Sequence, residues 1–302
     1  MFGIDGWQRM NWYNRGKDMI VARPDNTVFV TICDYPNPGE VSEPLLRTAK
    51  HFGIPVHFAS YGQQFNCLFE KYPKILNFLK ELPETIKFMI FVDCRDTVFA
   101  DTFERILAAV NSTYTGGMLI QAGNAGLVRQ YVSRGLILKM GSQYPYNGYA
   151  CSGCYCGAVS EVILVLKRAM ELRSNIDVKN YKDELAAMYL NDPESHKSIH
   201  KLNEHDEFMF QLLQLTDSRI NLDTDKRVSA LFGNSRPNAG KTSVPERMKL
   251  PVDDIAAIGS ACILHSPAIS RNRSAWSEWI DGEIIGREKA SFHSISGVSR
   301  DD

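Results

Sequence analysis

The chain has no long uninterrupted apolar run. Its opening stretch, MFGIDGWQRMNWYNRGKDMIVARPD, is charged throughout and holds no apolar segment of the signal-peptide kind. No later stretch reaches the length of a membrane span. The expectation is a cytoplasmic protein that makes no use of a membrane. Charge of either sign is not in excess. With 34 Lys and Arg against 35 Asp and Glu, the net charge is −1, so the whole molecule is no electrostatic attractor for nucleic acid. No Gly-x-Gly-x-x-Gly follows the first predicted strand, which removes support for a dinucleotide site. Internal repeats, low-complexity tracts and clear linkers are also missing. The seven cysteines are an odd number, and Cys33, Cys67, Cys94 and Cys262 are scattered through apolar segments. That distribution suits free buried thiols in a reducing compartment better than a disulfide framework.

What is present is an ordinary globular composition: 302 residues, 44% hydrophobic and 23% charged. TVFVTIC (27–33) reads as a strand, and the turn-rich DYPNPG follows it. SEPLLRTAKHFG reads as a helix with Pro44 in its first turn and Gly53 closing it. IPVHFAS is a second strand. FEKYPKILNFLKEL places Tyr72, Ile75, Leu76 and Leu79 on one helical face. TIKFMIFVD becomes wholly apolar near its end, as a strand buried on both faces does. DTFERILAAV is a capped helix and GGMLIQAG another strand. Further on, SEVILVLKRAMEL and HDEFMFQLLQLT have helical spacing, and INLD and AAIGSACILH read as late strands. This alternation predicts an α/β fold, a mostly parallel Rossmann-like sheet flanked by helices. The expected organisation is an N-terminal extension (1–26), one domain (27–272) and a polar C-terminal tail (273–302). In such sheets ligands bind outside the carboxyl ends of the strands.

FMIFVDCRDTVFADTFERIL is the most informative stretch. Asp93 and Asp96 stand where a buried apolar strand ends. Crowding two anions there is costly unless something offsets it, and a divalent cation does so. Oxygen ligands suit Mg²⁺ or Mn²⁺, whose other positions can be filled by phosphate oxygens. Alternatively, Asp96 is a turn cap and Asp93 pairs with Arg95. The aspartates are three apart, so the Asp-x-Asp-x-Thr of dehalogenase-type phosphotransferases is absent.

Five pieces in order resemble the glycosyltransferase domain of the procollagen lysyl hydroxylase and glycosyltransferase family, a GT-A fold. They are FVDCRDTVFADTFERIL, CSGCYCGA, EHDEFMFQLL, INLDTDKRV and ILHSPAISR, and the first strand VFVTIC also fits. The resemblance covers about residues 27–272. It implies a UDP-sugar-dependent hexosyltransferase, using glucose or galactose with Mn²⁺ or Mg²⁺. Asp93, Asp96 and His265 would bind the metal. Thr31 would lie near the nucleoside, with Arg95 replacing a family aromatic that stacks on uracil. Ser152 and Gly153 would line the donor sugar, and Arg271 would meet the diphosphate. Asp206, with Glu207 beside it, would serve as catalytic base or position the acceptor. That acceptor would be a hydroxyl on a protein side chain, a glycan or a hydroxymethylated DNA base.

Two further readings stay open. Basic residues cluster over 226–273, with Trp276 and Trp279 adjacent, so contact with DNA is possible beside the plainer reading of a solvated loop. Cys151-x-x-Cys154 and His196-x-x-x-His200 have zinc-ligand spacing, which makes a zinc-stabilised binding module the alternative function.

Overall fold

A computed structural model describes residues 20–123, 149–175, 204, 206–231, 261–266 and 277–286. The β-branched and aromatic run at the start forms strand β1 (Thr27–Cys33). Helix α1 (Glu43–His51), strand β2 (Val56–Tyr61) and helix α2 (Lys71–Lys80) follow. Next come strand β3 (Phe88–Val92), the short strand β4 (Thr97–Phe99), helix α3 (Phe103–Thr113) and strand β5 (Met118–Gly123). The later elements are strand β6 (Tyr149–Ala158), helix α4 (Val159–Asn175), helix α5 (Asp206–Thr216) and strands β7 (Ile220–Asp223), β8 (Ser229–Leu231) and β9 (Ile263–His265).

Six strands form a central sheet in the order β2-β1-β3-β6-β5-β7. β1 is parallel to β2 and β3, β5 is parallel to β7, and β6 runs against both of its neighbours. The carboxyl ends of β1, β3 and β5 therefore meet the beginning of β6 at one edge. The mostly parallel α/β arrangement agrees with the GT-A-type expectation. The antiparallel insertion of β6 is the exception to it.

Period-two alternation sends side chains to two cores. Val28, Val30, Ile32, Met89 and Phe91 face the side covered by α2, α4 and α5. Phe29, Cys33, Phe88, Ile90 and Val92 face the side covered by α1 and α3. The predicted apolar face of α2 is buried as expected. Ser42 does not cap α1 with its side chain; its hydroxyl donates to the Pro38 carbonyl at 2.8 Å.

A second sheet, β4-β9-β8, packs against the first near Gly123 and Gly153. Against it packs a helical segment within the predicted polar tail. Trp279, Ile280 and Ile284 bury themselves on Val98, Ala230 and Leu264, and Arg47 reaches Asp281 at 3.0 Å. Among the described residues no helix is long and apolar enough to cross a membrane.

Candidate functional site at the mouth of the sheet

At the end of β3 the chain turns through Asp93-Cys94-Arg95-Asp96 into β4. Main-chain hydrogen bonds pin both aspartates. The Asp93 amide donates to the Gly153 carbonyl of β6 at 2.9 Å, and the Ser266 amide donates to the Asp96 carbonyl at 2.7 Å. β4 pairs with β9 so that Thr97 stands opposite His265. These pairings bring His265 to the aspartates, with its Nε2 3.9 Å from Oδ2 of Asp93.

The His265 ring occupies a space that β6 makes for it. Ile120 pairs with Tyr155 while the next residue, Gln121, pairs with Cys151, so residues 152–154 bulge out of register. Gly153 lies in that bulge. A Cβ added there would stand 2.0 Å from Cε1 and 2.3 Å from Nδ1 of His265. Gly153 is thus required by the histidine ring, a closer constraint than the sugar approach expected of it. Nδ1 of the ring lies 2.8 Å from Oε1 of Gln121 and 3.8 Å from Sγ of Cys151. Burial depresses the His265 pKa, and Asp93 and Asp96 oppose this only in part. The ring is therefore neutral at physiological pH. A ring proton on Nδ1 would leave the Nε2 lone pair turned toward Asp93.

A buried cation organises the neighbouring carboxylates. Lys71, at the start of α2, is 5% exposed. Its Nζ is 2.8 Å from Oδ1 of Asp93 and 3.1 Å from Oδ2 of Asp206. Burial by itself pulls the Lys71 pKa down, but Asp206 and Asp93 hold it well above the usual value. Asp206 has little freedom. Its Oδ1 accepts from the Glu207 amide at 2.9 Å, and its carbonyl accepts from the Tyr72 hydroxyl at 2.6 Å. Glu207 is less enclosed than Asp206. Burial, then the charge of Asp206, pushes its pKa up to about 8, against a lowering hydrogen bond from Gln211. A carboxyl that titrates near neutrality suits proton transfer better than one committed to an ion pair.

The remaining expected residues lie around this centre. Thr31 is fully buried, and its hydroxyl donates to the Val92 carbonyl at 2.7 Å, tying β1 to the end of β3. Arg95 places its guanidinium 5.5 Å from the Tyr35 ring centroid, with Nε 3.8 Å from Oδ1 of Asp96. Tyr35 in turn meets Phe65 edge to face. Ser152 is buried in the bulge. Arg271, His196, His200 and Trp276 lie outside the described residues, as do all basic residues of 226–273 except Lys226 and Arg227.

The three clustered thiols separate in environment. Cys151 faces His265, Cys154 hydrogen-bonds Ser229, and Cys156 lies in the apolar core. Burial raises all three pKa values, that of Cys154 to about 12, so they stay protonated.

Sequence reasoning passed over three residues of the site: Lys71, Gln121 and Asp34. A polar amide inside the apolar run MLIQAG was the available signal for Gln121. For Lys71 the signal was a cation in a helix's first turn, where the dipole disfavours it. Asp34 directly follows β1 and is buried, held by Ser60 Oγ at 2.9 Å, the Gln63 amide at 3.0 Å and the Lys74 ammonium.

Among the described residues, no group of three or more His, Cys, Asp or Glu side chains converges closely enough to hold a metal ion. The residue types that meet there, an imidazole and a carboxylate, are ones that can ligate a divalent cation. Nε2 of His265, an acceptor when the ring proton is on Nδ1, faces a carboxylate oxygen of Asp93 at 3.9 Å. Two acceptors so placed repel unless a proton or a cation lies between them.

No protein-family model matches the chain, and no curated protein does. Among solved structures, a glycosyltransferase involved in the glycosylation of the major capsid of PBCV-1 aligns with a TM-score of 0.44 at 8% sequence identity. The alignment covers 83% of this chain and 97% of that one. A likeness of this size assigns no residue a role.

Proposed function

We propose that the protein is a metal-dependent glycosyltransferase moving a hexose, glucose or galactose, from a UDP-sugar to a hydroxyl acceptor. One observation carries the reading. At the carboxyl edge of a mostly parallel sheet, Asp93 faces a neutral His265, Asp96 is pinned beside them, and Glu207 titrates near neutrality close by. The resemblance of FVDCRDTVFADTFERIL, CSGCYCGA and ILHSPAISR to the procollagen lysyl hydroxylase and glycosyltransferase domain supports the finer identity.

In this reading Asp93, Asp96 and His265 hold Mn²⁺ or Mg²⁺. A cation held by these residues would supply positive charge for the leaving diphosphate. Lys71, paired with both Asp93 and Asp206, would keep Asp206 balanced when Asp93 serves the cation. Arg95 and Tyr35 offer a cationic and aromatic face at the end of β1 for the nucleoside, and Arg271 serves the diphosphate. Ser152 lines the donor sugar. Glu207, once ionised, accepts the proton of the attacking hydroxyl, and Asp206 orients it by electrostatic contact through Lys71.

The acceptor is a hydroxylated protein side chain, a glycan or a hydroxymethylated DNA base. A steep salt dependence of acceptor binding marks DNA, because phosphate contacts release counterions. The test is a panel of UDP-sugars with Mn²⁺, scored for release of UDP. Slow turnover of one UDP-hexose is expected even without acceptor. The absence of both turnover and binding with every uridine sugar would overturn the proposal.

A further inference from the structure

We infer that Gln121 is a positioning residue. Its side-chain carbonyl holds the imidazole proton of His265 on Nδ1 and so presents the Nε2 lone pair to Asp93. Gln121 sits in β5 with apolar residues before it, is 1% exposed, and lies 144 positions from His265 in sequence. A primary amide buried in this way is costly unless it is hydrogen-bonded. Its Oε1 is 2.8 Å from His265 Nδ1. A carbonyl oxygen only accepts, so this amide orientation, in which the Gln121 Nε2 finds no partner among the described residues, puts the ring proton on Nδ1. The other group near that nitrogen, the Cys151 thiol at 3.8 Å, is the weaker acceptor.

The opposite arrangement has a different chemical outcome. If the Gln121 amide nitrogen faced Nδ1, it would donate there and the ring proton would move to Nε2. That proton would point at Oδ2 of Asp93, 3.9 Å away. The histidine would then be a hydrogen-bond donor to the carboxylate and no longer a ligand for a cation. One amide orientation therefore decides whether His265 can share a cation with Asp93. The ring's position is fixed separately by Gly153, whose missing Cβ leaves room for it. Gly153 sets where the ring lies, and Gln121 sets which nitrogen is bare. Outer partners of metal-ligating histidines act in this way generally.

The purpose of this device rests on the proposed metal-dependent reading, but its test does not. In metal-free, ¹⁵N-labelled protein, long-range ¹H–¹⁵N spectra report the tautomer of His265 directly. The expected result is the Nδ1–H form in the wild type. Gln121→Met keeps the side chain's length and removes the acceptor, and the ring is expected to shift to Nε2–H. Gln121→Glu restores an acceptor and should restore Nδ1–H. Mn²⁺ affinity should fall about 10- to 100-fold in Gln121→Met. A wild-type ring protonated on Nε2 overturns the assignment whether or not either variant folds, and so does an unchanged tautomer in folded Gln121→Met. If the wild type shows Nδ1–H but turns over no uridine sugar, the proposed function fails and the role of Gln121 stands.

Discussion

His265 stays neutral because burial removes the water that would solvate an imidazolium. Its ring fits because position 153 carries no side chain. Gly153→Ala should therefore displace the ring and lower metal-dependent turnover by about tenfold or more, the range seen when the surroundings of metal ligands change. Comparing turnover of the two proteins at saturating Mn²⁺ checks this. Glu207 presents a different residue-scale problem. Its pKa is raised from 4.5 to about 8 by burial and by Asp206. Between those values the unfolded chain has lost a proton that the folded chain keeps. Stability should fall as pH rises through that window, and Glu207→Gln should flatten the slope in urea titrations. The same residue should give turnover a limb that rises with pH toward about 8, absent in Glu207→Gln.

At the scale of elements, β6 does most to build the site. It enters antiparallel between β3 and β5, and its bulge both anchors the Asp93 amide and makes room for His265. α2 and α5 deliver their first residues to the same edge, where Lys71 and Asp206 meet. Lys71→Met should destabilise the fold by about 3–5 kcal/mol in denaturant titrations, because two carboxylates lose their buried partner. Elements with a strong period were legible in the sequence. β3 runs straight into Asp93 after an apolar run, β9 ends in His265 after another, and α2 shows its Tyr72, Ile75, Leu76 and Leu79 face. β6 was not legible as an antiparallel central strand, because a strand buried on both faces carries no alternation to reveal its partners. β4 and β8, three residues each, are too short to show a period. Gln121 and Lys71 were hidden for a related reason. Each has its meaning from a partner on another element, and local spacing records only which face is apolar.

At the scale of the whole molecule, the site stands between two sheets: Asp93 leaves the large one and His265 ends a strand of the small one. Holding the small sheet in place therefore matters for the site. The segment bearing Trp279, Ile280 and Ile284 buries its apolar side there, although the sequence suggested a polar tail with Trp279 beside a surface for DNA; Trp279 is spent on packing instead. Trp279→Ala should cost about 3–5 kcal/mol of stability in thermal or urea unfolding, as large-to-small changes in a core do. The central claim is that Asp93, Asp96 and His265 together hold a divalent cation for a uridine diphosphate. Calorimetric titration of Mn²⁺ into the protein, with and without UDP, tests it most directly. Weak Mn²⁺ binding that tightens with UDP, and is lost in Asp93→Asn and in Asp96→Asn, is the expected result. Mn²⁺ affinity indifferent to UDP, or unchanged in folded variants of both aspartates, would contradict it.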